Sequence, residues 1–303
     1  VNPVVTPSGT GLNGLLVNRR ARLGSGPKRL TQAALENLGI KLEAIAWVKR
    51  PSGLLKAVDA LLERGVDRLI VGGGDGTLST VAARLAHRPI TLGILPLGTA
   101  NDFARTLGIP SNLEAAAAVI AAGTVRLVDL GRANEAYFLN VASLGMSVSA
   151  TSQLSPWIKR KLGSFAYLYA GARAFTLDPT FRIRVQNGPD SVETFAHQLV
   201  VGNGRFYGGG VLVSRQSSLE DGMLHAYALG TRGRWDLLRT IALLRMGVPI
   251  DRPGDCFLQT PSLQVETWPV LAVNCDGEIR TRTPVKFAVE PKALRVFAPP
   301  GSG

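Results

Sequence analysis

Arg68-Leu69-Ile70-Val71-Gly72-Gly73-Gly74-Asp75-Gly76-Thr77-Leu78 joins an aliphatic run to three consecutive glycines and then to a segment with helical spacing of apolar residues. Such a junction is the carboxyl end of a parallel strand turning into its crossover helix. Glycines let the backbone approach a bulky anion, and the first amides of the helix point toward negative charge, so the turn suits a phosphate. No Gly-Lys-Ser/Thr follows, which excludes a Walker A loop, and the spacing is not the GxGxxG of dinucleotide folds. Taken alone, the stretch reads equally well as a tight strand-to-helix turn.

On both sides of it the same alternation continues. Residues 12–18, 42–48, 69–71, 91–95 and 125–130 read as strands, and 28–38, 54–64, 78–86 and 113–122 as helices, which predicts a parallel sheet covered by helices. Gly39, Gly65, Gly108 and Gly123 stand where these helices should stop. After Gly131 the rhythm changes to strand-like runs at 137–141, 181–185, 194–201, 224–229, 262–267 and 270–274, the pattern of a mostly antiparallel second domain. Two helical segments, 156–175 and 234–246, interrupt it.

A second loop, Pro96-Leu97-Gly98-Thr99-Ala100-Asn101-Asp102-Phe103-Ala104-Arg105, follows the next parallel strand at the same sheet edge, so the two loops should be neighbours. Asp75 and Asp102 would then set two carboxylates beside the phosphates, an arrangement that calls for a divalent cation, and Mg²⁺ prefers oxygen ligands. Thr77, Thr99 and Asn101 can donate to the phosphates. For either aspartate singly the plainer reading is structural, Asp102 capping the following helix and Asp75 bracing the turn.

Length and charge bound the partners. The 303 residues are 46% hydrophobic, enough for two cores, and exclude a disordered or fibrous chain. Thirty-four Lys and Arg against 22 Asp and Glu leave a net charge of +12, which favours a nucleotide, a nucleic acid or an acidic membrane surface. No basic-aromatic module or helix-turn-helix spacing supports nucleic acid. Cys256 and Cys275 form no CxxC pair and the three histidines are scattered, so neither a disulfide framework nor a zinc site is expected, and the thiols read as those of an intracellular protein. Residues 1–14 read as a flexible arm without the pattern of a secretory signal. The apolar stretches at 137–146 and 237–244 fall far short of the ~20 residues that span a bilayer, so membrane contact should be peripheral.

The ordered set of motifs resembles the diacylglycerol kinase catalytic-domain family, in its bacterial soluble lipid kinase branch, related to sphingosine kinases and more distantly to NAD kinases. It comprises both loops above, Phe138-Leu139-Asn140-Val141-Ala142-Ser143-Leu144-Gly145, Gly202-Asn203-Gly204-Arg205-Phe206-Tyr207-Gly208-Gly209-Gly210, Leu219-Glu220-Asp221-Gly222-Met223-Leu224 and Asp276-Gly277-Glu278. The resemblance covers nearly the whole chain. It implies an N-terminal Rossmann-like α/β domain over residues 12–130, completed by 285–299, a C-terminal β-sandwich over 131–284, and a nucleotide cleft between them. It further implies ATP-dependent, Mg²⁺-dependent phosphorylation of a lipid hydroxyl in phospholipid metabolism. The ATP-binding set would be Asn18, Gly72, Gly73, Gly74, Gly76, Thr77, Gly98, Thr99 and Asn101, and the catalytic set Asp75, Asp102, Asp276 and Glu278, with Asp276 as base. Asp221, with the carbonyls of Ser218 and Met223, would form a second, structural metal site. Phosphoryl transfer needs mainly positioning, charge neutralisation and an acceptor for the alcohol's proton, which a carboxylate supplies. Asp-Gly is also a common hairpin dipeptide, and both roles can hold at once.

The chain departs from the family pattern at Arg19, where proline is usual, at Val48 in place of a threonine, and at Ser79-Thr80 in place of Asn-Glu. The last change argues against an NAD kinase. Residues 155–169 and 234–241 combine basic and aromatic side chains suited to anionic phospholipids, although such stripes are more often amphipathic helices facing a core. The expected location is cytoplasmic and peripherally membrane-associated; a homodimer stays open, and a non-catalytic nucleotide- or lipid-binding protein on the same scaffold is the alternative.

Overall fold

A computed structural model describes residues 11–18, 27–145, 180–204, 206–207, 211–212, 217–230 and 256–300. The helices expected at 156–175 and 234–246, and Arg19, lie outside the described residues. The chain divides into two compact units, Val1–Leu130 with Pro291–Gly303, and Gly131–Glu290.

The first unit alternates strand and helix: β1 (Asn13–Asn18), α1 (Pro27–Glu36), β2 (Ala44–Val48), α2 (Leu54–Glu63), β3 (Arg68–Gly73), α3 (Asp75–Leu85), β4 (Thr91–Pro96), α4 (Asp102–Thr106), α5 (Leu113–Ala122) and the start of β5 (Val125–Ala133). Strand β1 pairs in parallel with β2 and β3, and β3 in parallel with β4, giving the order β2-β1-β3-β4. Leu15, Leu16, Val17, Leu69, Ile70, Val71, Leu92, Ile94 and Leu95 are fully or almost fully buried, as expected of parallel strands covered on both faces. Helix α2 turns Leu54, Val58 and Leu61 inward at helical spacing. The four glycines expected to end helices all have positive φ, from 71° to 79°. Helix α4 begins at Asp102 and ends before Gly108, although no apolar spacing marks it, and α3 starts at Asp75 rather than near Leu78, so the glycine turn is shorter than the sequence suggests.

The second unit contains β6 (Ala136–Phe138), β7 (Val141–Gly145), β8 (Phe181–Asn187), β9 (Asp190–Gly202), β10 (Phe206–Tyr207), β11 (Val211–Leu212), β12 (Leu224–Gly230), β13 (Cys256–Thr260), β14 (Ser262–Trp268), β15 (Ala272–Cys275), β16 (Glu278–Arg282) and the first half of β17 (Val285–Phe297). Its ladders are antiparallel throughout the described pairs: β16-β15-β7-β9-β8-β14-β17, with β12 joining β9 to β13. Alternation sets the core. In β8, Phe181, Ile183 and Val185 point inward while Arg182 and Arg184 point out; in β14, Leu263, Val265 and Thr267 are buried between exposed or half-buried neighbours. The strand expected at 137–141 is in fact two strands with a corner at Leu139-Asn140.

The last strand serves both units. Residues 285–288 pair antiparallel with β14, Arg295 and Val296 pair in parallel with β4, and Ala293, Leu294, Val296 and Phe297 are buried.

Candidate active site

From β1 the chain crosses to β2 on one side and then to β3 on the other, so the carboxyl ends of β1 and β3 flank the point where strand order reverses. In open α/β sheets that crevice is where ligands bind. Asn18 ends β1, and its Nδ2 donates to Thr77 Oγ1 at 2.9 Å, tying β1 to the first turn of α3. Gly72 and Gly73 leave no room for side chains: a β-carbon at 72 would lie 2.9 Å from Leu97 Cδ1, and one at 73 would lie 2.8 Å from Thr77 Cβ. Gly74 meets Gly98 backbone to backbone, so that a β-carbon at 74 would stand 2.9 Å from the Gly98 Cα and one at 98 only 2.5 Å from the Gly74 Cα. The two loops are thus in direct contact.

Asp75 clamps them. Its Oδ1 accepts the Phe103 amide at 3.1 Å, linking the first residue of α3 to the first turn of α4. The Thr77 and Leu78 amides both turn back to the Gly74 carbonyl, at 2.9 and 3.1 Å. The helix-start donors that precede any intrahelical partner are those of Asp75 and Gly76. Position 76 is open, with nothing within 4 Å of where a β-carbon would sit.

Other residues of the second loop are spent differently from what the sequence predicts. Asn101, assigned above to phosphate, adopts a left-handed conformation with φ 51° and braces its own loop: Oδ1 accepts the Gly98 amide at 2.9 Å, and Nδ2 donates to the carbonyls of Gly98 at 3.2 Å and Pro96 at 3.4 Å. Asp102 is buried, and its Oδ1 lies 2.8 Å from Nη1 of Arg105, whose Nη2 donates to the Ala100 carbonyl at 3.1 Å. It occupies the first helical position of α4, and Asn101 takes the cap position. Thr99 is exposed in the turn between Gly98 and Asn101.

Among the described residues no three His, Cys, Asp or Glu side chains gather to hold a metal ion. Mg²⁺ in phosphoryl-transfer sites uses one or two carboxylates and completes its shell with phosphate oxygens and water. Asp75 and Asp102 are hard donors on touching loops, each with Oδ1 already engaged, by the Phe103 amide and by Arg105.

In the second unit Asp276 sits at the β15–β16 turn with φ 49°. Its carboxylate accepts three backbone amides from the β6–β7 corner: Leu139 to Oδ2 at 2.6 Å, and Asn140 and Val141 to Oδ1 at 3.0 and 3.1 Å. The Asp276 amide returns a bond to the Val141 carbonyl at 2.9 Å. Gly277, φ 95°, completes the hairpin and donates to Asn274 Oδ1 at 2.8 Å. Three amides stabilise the anionic form of a carboxylate and occupy three of its roughly four lone-pair sites. Glu278 is exposed and pairs with Arg280 at 2.7 Å. Burial above all, with the Asp276 charge second, pushes the neighbouring Cys275 thiol up to about 12.

The proposed structural metal loop closes on itself. Asp221 accepts the amide of Ser218 on Oδ2 and of Met223 on Oδ1, both at 2.9 Å, and Oδ2 also lies 3.2 Å from Nε2 of the fully buried His225. Burial is the largest single influence on this carboxyl and raises its pKa, but the bonds from His225, Ser218 and Met223 and the His225 charge together outweigh it, so the net shift is downward. Both oxygens are therefore engaged by nitrogen groups. A cation bound by Asp221 with the carbonyls of Ser218 and Met223 would have to share this carboxylate with those nitrogen groups.

Sequence reasoning assigned no role to the Leu139–Val141 amides or to His225. The first lay inside a quoted motif whose backbone function no side chain advertises; the second follows Asp221 by four residues, a spacing that carries no signal outside a helix.

Residues 14–133 match the family model described as the diacylglycerol kinase catalytic domain, and residues 140–298 match the YegS C-terminal NAD kinase beta sandwich-like domain. A Pseudomonas aeruginosa protein named "Probable lipid kinase YegS-like" is 36% identical over 296 residues, 95% of each chain. A Staphylococcus saprophyticus protein named "Diacylglycerol kinase" is 28% identical over 93% of this chain and 96% of its own. The crystal structure of a diacylglycerol kinase from Bacillus anthracis superposes with a TM-score of 0.78 at 27% identity, covering 97% of this chain and 99% of that one.

Proposed function

The chain belongs to the diacylglycerol kinase catalytic-domain family, and on that premise we propose that it transfers the γ-phosphate of ATP to the hydroxyl of a lipid. The observation that carries the nucleotide half is the Gly74–Gly98 backbone contact at the strand-order reversal, which sets the open amides of Asp75 and Gly76 beside a surface too close for side chains. When bound, Mg²⁺ would be held by Asp75 and Asp102 and would neutralise charge on the phosphates. Thr77, Thr99 and the amide at Gly76 complete the proposed cradle, with Gly98 giving the close backbone approach, Asn18 ordering Thr77 and Asn101 shaping the loop.

Asp276 is the proposed proton acceptor, with Glu278 beside it. The loose transition state of phosphoryl transfer asks for a positioned acceptor more than a strong base, and three backbone amides fix the Asp276 carboxylate in place. The proposed setting is the face of an anionic membrane, reached through the basic-aromatic segments at 155–169 and 234–241, which lie outside the described residues. No helix among the described residues is long and apolar enough to cross a membrane.

The test is incubation with labelled ATP and Mg²⁺ over a total lipid extract, followed by identification of the labelled product. Label in one lipid class supports the proposal and names the acceptor. ATP binding without label in any lipid would instead support a non-catalytic nucleotide-binding protein, a reading favoured by the structural use of the Asp276 carboxylate.

A further inference from the structure

The β6–β7 corner holds a polar group that the fold leaves unused. Asn140 is 4% exposed, and its Oδ1 has no hydrogen-bond partner among the described residues. Its backbone is the opposite. The amide donates to Asp276 at 3.0 Å, and the carbonyl accepts the amides of Asn203 at 2.9 Å and Gly204 at 3.0 Å. Asn203 secures the same corner through Nδ2, which donates to the Leu139 carbonyl at 2.9 Å. The peptide is therefore fixed from both sides, and the side chain cannot relieve its isolation by shifting the backbone. Gly204 keeps space beside it, since a β-carbon there would crowd Asn140 Oδ1 at 3.2 Å.

Burying an amide without a partner costs roughly 1–3 kcal/mol. Native folds tolerate few such groups, and those that persist are commonly there for a ligand. The chemistry of that ligand follows from the neighbourhood. Asn140 is held directly by the carboxylate proposed to receive the alcohol's proton, and since the alcohol has only that one proton to give, the carboxamide meets it through the NH₂, which donates to the hydroxyl oxygen in the flipped orientation of the amide.

We infer that the Asn140 carboxamide binds the hydroxyl of the acceptor lipid and aligns it with Asp276. The inference rests on the kinase reading and adds to it a substrate-binding residue. It predicts a trade of stability for function, because a group kept unpaired for substrate should be dispensable to the free protein.

The experiment compares the wild type, Asn140→Leu and Asn140→Ser by thermal unfolding and by steady-state kinetics against the lipid that the wild type labels. Leu is of similar size and removes the polar atoms; Ser is smaller and keeps a hydrogen-bonding group. Asn140→Leu should melt at or above the wild-type temperature, raise KM for the lipid about tenfold, the loss expected for one hydrogen bond, and leave KM for ATP unchanged. Asn140→Ser should fall between. A Leu variant that melts several degrees lower would show that the carboxamide is paired within the fold, directly or through a bound water, and would overturn the inference. Unchanged lipid kinetics in both variants, with an active wild type, would overturn it while leaving the kinase reading standing. A wild type that labels no lipid overturns the kinase reading and the inference with it.

Discussion

Asp276 is a structural anchor and the proposed base on one carboxylate, and substitution will mix the two. Asp276→Asn places an amide donor where three backbone donors converge, so it should destabilise the second unit by about 1–3 kcal/mol as well as remove turnover. Loss of activity alone therefore does not identify the base. The informative measurement sets turnover beside chemical denaturation and nucleotide affinity, and a base role requires turnover to fall at least 100-fold in protein that is still folded and still binds ATP. Cys275 gives a second prediction. Its thiol is pushed up to about 12, against about 8.5 in an unfolded chain; a raised value means stability that is complete below the unfolded pKa and lost as pH climbs toward the folded one. Denaturation midpoints should fall between pH 9 and 12 in the wild type and less in Cys275→Ala, and in a Cys256→Ser background the remaining thiol should react with a thiol reagent only on unfolding. Asp221 works at the acid end, where a lowered pKa means stability that is complete above about pH 4 and is lost as pH falls through the folded value. Asp221→Asn should flatten the acid limb of the stability profile. The residue types at the site were legible because carboxylates and glycines announce themselves in sequence. What Asn101, Asp102 and Asp221 bond to was not, because a short polar side chain serves its own loop or a ligand with the same atoms, and only the fold says which is within reach.

The glycine turn can be tested as a built piece. Gly98→Ala and Gly74→Ala press a methyl group against backbone that cannot swing aside, and each should cost about 1–3 kcal/mol together with nucleotide binding. Gly76→Ala separates the two effects: the position is open and alanine favours a helix by up to about 1 kcal/mol, so stability should hold or rise while ATP affinity falls. Unchanged affinity in Gly76→Ala would move the phosphates away from this turn. Helices and parallel strands were readable because their signals are local, namely apolar spacing and glycines whose positive φ ends a helix. The break at Leu139-Asn140 was hidden inside a continuous apolar run, where hydrophobicity gives no sign that the backbone must turn to meet a carboxylate 136 residues away along the chain. Short helix α4 showed only through its flanking signals, Asp102 and Gly108, since five residues are too few for a periodic pattern to emerge.

Strand β17 joins the fate of the two units. Its first residues complete the β14 ladder and its last ones pair with β4, so a chain ending at Glu290 loses Leu294, Val296 and Phe297 from the first core. At about 1.5–3 kcal/mol for each large apolar side chain, that loss is comparable to the net stability of a typical domain. Residues 1–130 expressed alone should show no cooperative unfolding transition by circular dichroism, and a synthetic peptide spanning 285–300 should restore one; a stable 1–130 fragment would refute this dependence. The consequence reaches back to synthesis. Most nascent proteins settle from the amino end as the ribosome advances, but here the opening half must wait, its sheet lacking a partner until residues 293–297 have emerged, and the growing polypeptide is in the meantime a natural client for chaperones.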